Sequence, residues 1–264
     1  MEGDAELVKI MAEFKAMVLK TAGTNCDFET AEALRLAGFS PETMHVNELI
    51  RGGKNLRDYR FLVLPGGFSH GDYIASGKIL ANKLKYRLGE DVPRFIEEGN
   101  LVLGICNGFQ TLVKAGLLPG FDGNYKRQDV TLTFNDSGHF QDEWIELKNV
   151  NKGRCVFSKG LRKTIHCPIN HGEGKFIPGS RKVLARLHEQ DQVVFKYAGR
   201  NPNGSLDDIA GICDETGRVL GLMPHCEKNL FSVNDPRSTR LDLPVEGEGT
   251  AIFRKAFEFV KKRK

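Results

Sequence analysis

Short apolar runs placed between helix-like segments are the feature that most constrains how this chain can fold. Phe61-Leu-Val-Leu64 and Leu101-Val-Leu103 are apolar at every position, which is typical of strands covered on both faces in a parallel sheet. Helical segments are predicted between residues 76 and 98 and from Gly108 to Lys114. The sequence therefore predicts an α/β domain with three layers and a mostly parallel central sheet.

The N-terminal part of the chain continues this strand-helix alternation. Met17-Val-Leu19 reads as a strand, and Asp27 is expected to cap a helix that runs to Leu36 and stops at Gly38. A further strand is predicted from Met44 to Leu49, and the apolar spacing within residues 2–14 predicts a short amphipathic helix. A last helix is predicted from about Thr250 to Lys261.

Beyond residue 125 the pattern changes to period-two segments separated by short turns, which indicates a β-rich insertion. A hairpin is predicted to join Ile209–Cys213 to Val219–Met223, with Gly217 supplying the positive φ of its turn. No linker divides the chain, so we expect one domain over residues 16–264 after an N-terminal extension over residues 1–15. The other predicted strands are Asp129–Phe134, Trp144–Val150, Lys163–Pro168, Val183–Leu187 and Gln192–Tyr197.

Composition excludes several functional classes. The 264 residues carry a net charge of +4, but the segment 254–264 alone contributes six basic residues and one acidic residue, which leaves the rest of the chain slightly acidic. A nucleic-acid binder needs a basic face, so nucleic acid is not an expected partner. The apolar runs are far too short to span a membrane. The six cysteines form no C-x-x-C pair and no signal peptide is visible, which predicts reduced thiols and a cytoplasmic protein.

Cys106 stands in the sequence Gly104-Ile-Cys-Asn-Gly108, between a predicted buried strand and a helix. Flanking glycines allow the sharp turn of a nucleophile elbow, which exposes the central side chain. The helix N-terminus favours a thiolate over a thiol. The alternative is a buried structural cysteine that happens to lie between two glycines.

A glycine-containing loop, Pro65-Gly-Gly-Phe-Ser-His-Gly-Asp72, ends the neighbouring apolar strand. Its consecutive glycines free the backbone to direct N–H groups toward a developing oxyanion, beside the N–H of Asn107. The alternatives are a phosphate-binding loop or a plain tight turn.

His225 and Glu227 are two residues apart after Pro224, so in an extended segment both project from one side while Cys226 points away. Glu227 could then orient His225 as the base that a cysteine nucleophile needs. The alternative is an exposed histidine at a strand end. No metal site is expected, because two such ligands do not complete a tetrahedral set.

Together these three stretches resemble the class I (triad) glutamine amidotransferases, which have a flavodoxin-like fold. Longer strings are similar to the glutaminase subunits of phosphoribosylformylglycinamidine synthase, an enzyme of purine biosynthesis. The similar strings are Pro65–Tyr73, Pro168–Phe176, Asn201–Ser205, Ile209–Ile212 and Gly221–His225. The resemblance covers about Lys20 to Phe231, and the sequence departs from the family pattern at His70, Ala75 and Cys226.

The resemblance implies a reaction and roles for individual residues. Cys106 would attack the side-chain carboxamide of glutamine, with His225 and Glu227 as its catalytic partners. The remaining roles are oxyanion binding by Gly66, Gly67, Phe68 and Asn107, and lining of the glutamine pocket by Gln110, His171 and Glu173. For His171 and Glu173 the alternative is a turn that merely packs under the site.

The resemblance also implies partners. Ammonia released by such a glutaminase would pass to a large ATP- and magnesium-using synthetase subunit, assisted by a small accessory subunit, which converts formylglycinamide ribonucleotide to the amidine. No cofactor is expected in this chain itself. The remaining alternatives are the glutaminase subunit of another amidotransferase, a cysteine-dependent hydrolase or peptidase of the same fold, and a non-catalytic binding subunit.

Overall fold

A computed structural model describes residues 14–263 of the chain. The predicted helix over residues 2–14 lies outside the described residues apart from Phe14. In chain order the strands and helices are β1 Lys15–Lys20, α1 Asp27–Ala37, β2 Ser40–His45, α2 Val46–Ile50, β3 Phe61–Leu64, α3 Lys78–Arg87, α4 Asp91–Glu97, β4 Leu101–Ile105, α5 Asn107–Ala115, β5 Val130–Thr133, β6 Gln141–Asn149, β7 Thr164–His171, β8 Lys175–Pro178, α6 Arg181–Glu189, β9 Val193–Ala198, β10 Ile209–Cys213, β11 Val219–Leu222 and α7 Thr250–Lys261.

One sheet of nine strands organises the molecule, in the order β2-β1-β3-β4-β11-β10-β9-β6-β7. The first five strands in this order, β2, β1, β3, β4 and β11, run parallel to one another. The remaining pairings, from β11 with β10 to β6 with β7, are antiparallel. The central parallel sheet is therefore confirmed. The β-rich insertion mainly extends this sheet, while β5 and β8 pair separately.

The parallel half of the sheet lies in the core because helices cover it. Strands β3, β4 and β11 are buried at every residue, as their uninterrupted apolar sequences predict. Helix α1 packs against α7, and α3 packs against α5. Phe257 of α7 contacts the rings of Phe14 and Phe39, with ring centroids 5.3 and 5.1 Å apart, so Phe14 belongs to the domain. None of the helices within residues 14–263 is long and apolar enough to cross a membrane.

Several predicted elements are confirmed. The hairpin between β10 and β11 turns at Gly217, whose φ is 71°, and α7 has the predicted bounds. Helix α1 ends at Gly38 in the left-handed conformation, but its N-cap residue is Cys26 rather than Asp27, and no side chain caps it.

Two of the predicted strands differ from the structure, Val183–Leu187 entirely and Met44–Leu49 in part. The segment Val183–Leu187 lies in α6, whose N-terminus is capped by the Ser180 hydroxyl accepting from the Val183 amide at 3.2 Å. The strand predicted over Met44–Leu49 ends at His45, because the His45 side chain accepts from the Asn47 amide and starts α2. In both cases a side-chain hydrogen bond at the helix N-terminus stabilises a helix in a short segment that was predicted to be a strand.

Candidate active site

Cys106 lies between the end of β4 and the start of α5, at the predicted turn. Its φ is 51° and its ψ is −106°, a strained conformation for a residue other than glycine. A Cβ atom at Gly108 would lie 1.9 Å from the Leu64 carbonyl oxygen, and one at Gly104 would lie 2.6 Å from Leu112. The glycines are therefore required for close packing of helix on strand, while Cys106 itself takes the unusual φ. Its Sγ donates a long hydrogen bond, at 3.6 Å, to the Asn170 carbonyl oxygen.

His225 follows β11, the strand next to β4, and its ring is paired with Glu227. The distance from His225 Nδ1 to Glu227 Oε1 is 2.6 Å, as the sequence pattern predicts. The local backbone differs from the prediction, because residues Cys226–Lys228 form a 3-10 turn rather than an extended segment. The backbone amide of His225 donates to the Pro168 carbonyl oxygen of β7 at 2.9 Å, which fixes the start of this turn.

The electrostatic surroundings of His225 favour its charged form. Burial has the largest effect and lowers the pKa of His225, but the Glu227 carboxylate and the Cys106 sulfur together raise that pKa well above its usual value. His225 Nε2 is buried and makes no hydrogen bond within residues 14–263. β4 and β11 are neighbouring parallel strands, and the Cys106 amide donates to the Leu222 carbonyl oxygen at 2.8 Å. Cys106 and His225 therefore lie at the same edge of the sheet, where this nitrogen is available for proton exchange with a group bound at Cys106.

The glycine loop after β3 lies against His225, since a Cβ at Gly66 would be 2.5 Å from the imidazole Cε1. The predicted role of the Phe68 amide is wrong in this geometry, because that amide donates to the Gly23 carbonyl oxygen at 2.8 Å. The amides of Gly66, Gly67 and Asn107 donate no hydrogen bond to any residue that the structure describes. These are the backbone donors that an oxyanion could use.

Gln110 and Glu173 are predicted to line a glutamine pocket. In the structure their side chains make hydrogen bonds to neighbouring residues of the protein. Gln110 Nε2 donates to the Glu173 carbonyl oxygen at 2.7 Å, and its Oε1 accepts from Asn107. The Glu173 carboxylate accepts from the Ser76 amide at 3.2 Å and lies 3.6 Å from Lys114 Nζ. This arrangement favours a supporting role for both residues beside the site.

His171 also follows the alternative of a residue that packs beneath the site. Its Nδ1 lies 3.2 Å from Asn135 Oδ1, and its Nε2 lies 3.5 Å from Asn203 Nδ2. Burial, with a smaller contribution from His225, lowers the pKa of His171 to about 4. The imidazole is therefore neutral and enclosed.

Cys26, which the sequence interpretation did not assign to the site, lies next to the triad. Its Sγ is 3.9 Å from His225 Nδ1, and burial raises the pKa of its thiol. One donor atom from each of Cys26, His225 and Glu227 lies within 4.8 Å of the others. However, the 2.6 Å hydrogen bond between His225 and Glu227 is shorter than the roughly 3.3 Å that separates two tetrahedral zinc ligands with bonds of about 2.0–2.1 Å. This geometry favours a proton over a metal ion.

Cys26 follows the first parallel strand, in the loop that faces the Gly66–Gly67 loop. Neighbouring parallel strands bring their carboxyl ends to one edge of the sheet, and this rule could have drawn attention to the residue. Asn170 and Asp72, which also border the elbow, carry no comparable signal because their contacts arise from distant segments.

Comparison with known proteins bears directly on this arrangement. The family model described as a CobB/CobQ-like glutamine amidotransferase domain matches residues 13–260. The chain belongs to this family.

Curated relatives within the family share most of their length with this chain. Phosphoribosylformylglycinamidine synthase subunit PurQ of Dehalococcoides mccartyi is 42% identical over 95% of this chain and 99% of its own. The protein of the same name from Archaeoglobus fulgidus is 39% identical over 95% of this chain and 98% of its own. The solved structure of PurLQS from Thermotoga maritima contains a chain that is similar with a TM-score of 0.75 and 30% identity, covering 94% of this amidotransferase and 99% of that chain.

Proposed function

We propose that this chain is the glutaminase subunit of phosphoribosylformylglycinamidine synthase, which hydrolyses glutamine and supplies ammonia to a synthetase subunit. The observation that carries the proposal is the position of Cys106 and of the His225–Glu227 pair at the carboxyl ends of the neighbouring parallel strands β4 and β11. The Cys106 amide donates there to the Leu222 carbonyl oxygen at 2.8 Å. The relatives named PurQ, similar over nearly the whole chain, support this choice among amidotransferases.

The proposed reaction begins when Cys106 Sγ gives its proton to His225 and attacks the carboxamide carbon of glutamine. The tetrahedral oxyanion is stabilised by the amides of Gly67 and Asn107, which have no other partner within residues 14–263. His225 gives a proton to the departing nitrogen, so that ammonia leaves and a γ-glutamyl thioester remains. His225 then accepts a proton from water, whose oxygen attacks the thioester carbon. The carbon–sulfur bond breaks to release glutamate, and His225 returns the proton to the sulfur to regenerate the thiol. Glu227 holds the imidazole throughout.

A synthetase partner follows from the fate of the product. Free ammonia is diluted by water and protonated at neutral pH, so a glutaminase of this kind is useful only when docked to its acceptor. The PurLQS structure of Thermotoga maritima, by its name, is such an assembly. We assign ATP and magnesium to the synthetase rather than to this chain, and we expect a small accessory subunit as well. The six reduced cysteines support a cytoplasmic location.

The test is a reconstituted complex carrying Cys106→Ala. We expect loss of amidine synthesis from formylglycinamide ribonucleotide with glutamine, and unchanged synthesis with ammonium salt, because only the glutaminase step needs the sulfur. Cys155→Ala is the matched control, since Cys155 is equally buried but lies beside the Gly217 turn, at the opposite edge of the sheet. Equal loss with both nitrogen sources would contradict the proposed role.

The same preparation separates the competing functions. The wild-type chain is incubated with glutamine, with a peptide series and with a folyl-polyglutamate series, and released products are measured. Turnover of peptides or polyglutamates without glutamine turnover would favour a hydrolase of the same fold.

A further inference from the structure

Helix α5, which begins directly after Cys106, has a polar face that is buried. Asn107, Gln110, Thr111 and Lys114 are three or four residues apart, so they lie on one side of the helix, and each is less than 9% exposed. The segment 69–77 covers this face. Lys114 Nζ donates to the Ser76 carbonyl oxygen, and Thr111 packs against Gly77. Buried polar groups of this kind require defined partners.

Asn107, the first residue of α5, has every hydrogen-bonding group of its side chain occupied. Its Oδ1 accepts from the Ser69 amide at 3.2 Å. Its Nδ2 donates to Asp72 Oδ1 at 2.9 Å and to Gln110 Oε1 at 3.0 Å. Because a primary amide has two donor hydrogens, these contacts fix one orientation of the side chain. The backbone amide of the same residue is one of the free donors beside Cys106.

The segment that holds Asp72 is strained. His70, Asp72 and Ile74 have φ values of 56°, 53° and 74°, a left-handed conformation that is unfavourable for residues other than glycine. Such a conformation persists only where surrounding contacts impose it. The contacts here include a 3.0 Å hydrogen bond between Thr21 and His70, and those of Asp72 with Asn107 and of Ser76 with Glu173. The strained conformation of this segment is thus held in place in part by a hydrogen bond to α5.

We propose that Asp72 is a positioning residue for glutamine hydrolysis. Its carboxylate fixes the Asn107 side chain and, through it, the backbone amide of Asn107 that stabilises the oxyanion. Loss of the carboxylate leaves a buried Asn107 N–H without a partner, which is unfavourable. Asn107 then rotates to recover a hydrogen bond, and the first turn of α5 moves with it. This inference rests on the proposed glutaminase function and adds a residue to its machinery.

The test compares Asp72→Ala, Asn107→Ala and the double variant by glutaminase assay with the synthetase subunit present. Removal of one oxyanion donor costs about 100-fold to 1,000-fold in kcat, and misalignment of one donor is expected to cost at least about tenfold. KM for glutamine is expected to change by less than about twofold, because the oxyanion forms only after binding. The double variant should be no slower than the slower single variant, since both changes break the same contact.

Two further variants separate positioning from folding. Asp72→Asn keeps an acceptor oxygen for Asn107, so it should retain most of kcat. Asp58→Ala removes an exposed carboxylate beside the amino end of β3, at the edge of the sheet away from Cys106, and should leave kcat unchanged.

Alkylation of Cys106 by iodoacetamide provides the decisive second measurement, because that reaction forms no oxyanion. The alkylation rate of Asp72→Ala should equal the wild-type rate while its kcat falls. Unchanged kcat in Asp72→Ala, or equal slowing of alkylation and hydrolysis, would overturn the proposal. Wild-type protein without glutaminase activity would instead contradict the proposed function itself.

Discussion

Two buried histidines near the same site carry opposite pKa shifts because their partners differ. His225 faces the Glu227 carboxylate and the Cys106 sulfur, which outweigh the effect of burial and raise its pKa. His171 is surrounded by the neutral amides of Asn135 and Asn203, so burial prevails and lowers its pKa to about 4. The His225 imidazole is suited to proton transfer. The His171 imidazole is buried in its neutral form, so its packing is sensitive to acid.

His171 should therefore make the fold less stable in acid. Between pH 6.5 and pH 4 the unfolded chain binds a proton that the folded chain excludes, so the free energy of unfolding falls as the pH is lowered through this window. A shift of this size corresponds to a loss of up to about 3 kcal/mol. Urea unfolding at several pH values should show a shallower decline for His171→Asn than for wild type. His139→Asn, at an exposed histidine, is the control, and an equally steep decline in His171→Asn would contradict the assignment.

The elements that position the site were predictable where sequence signals were local. The strand before Cys106, the helix after it and the glycines between them specify the elbow, and the continuous apolar strands specify a parallel sheet. Residues predicted to be a strand form α6 instead, because the Ser180 side chain accepts a hydrogen bond at the helix N-terminus. The spacing of apolar residues does not reveal this hydrogen bond. The contacts of Asp72 with Asn107 and of Cys26 with His225 join segments far apart in sequence, so no local pattern could predict them.

The elbow depends on close packing of α5 on β3, and Gly108 tests this dependence. A Cβ at Gly108 would lie 1.9 Å from the Leu64 carbonyl oxygen, so Gly108→Ala must displace the helix from the strand. Overpacking of this kind costs about 1–3 kcal/mol or more, and the displaced sulfur should also lose at least about tenfold in kcat, since small misplacements of a reacting atom are costly.

Chemical denaturation and the glutaminase assay measure the two effects of Gly108→Ala. Gly172→Ala is the matched control, because a Cβ there meets no atom closer than 3.9 Å and its φ is not positive. Wild-type stability and kcat in Gly108→Ala would show that the helix can accommodate the methyl group and that the packing argument is wrong.

At the scale of the whole molecule, the site joins the two halves of the sheet. Cys106 and His225 follow strands of the parallel half, but β7, the last strand of the antiparallel half, supplies the Pro168 and Asn170 carbonyl oxygens that contact His225 and Cys106. His166 of β7 is in turn held by Asp235 at 2.9 Å and by the Glu248 carboxylate. Integrity of the antiparallel half is therefore a condition for the geometry around the triad.

This dependence predicts that unfolding of the antiparallel half and exposure of Cys106 occur together. Leu147 of β6 is fully buried and pairs with Tyr197 and Ile165 on the neighbouring strands, so Leu147→Ala should lower the free energy of unfolding by about 2–5 kcal/mol. In urea, circular dichroism and the rate of Cys106 alkylation should then shift to the same lower midpoint. Leu206→Ala, at a residue 48% exposed, should shift neither. The contrary result would be a native alkylation rate of Cys106 after β6 has unfolded. In that case the parallel half would hold the site alone, because the carbonyl groups of β7 would not be needed to keep the sulfur in place.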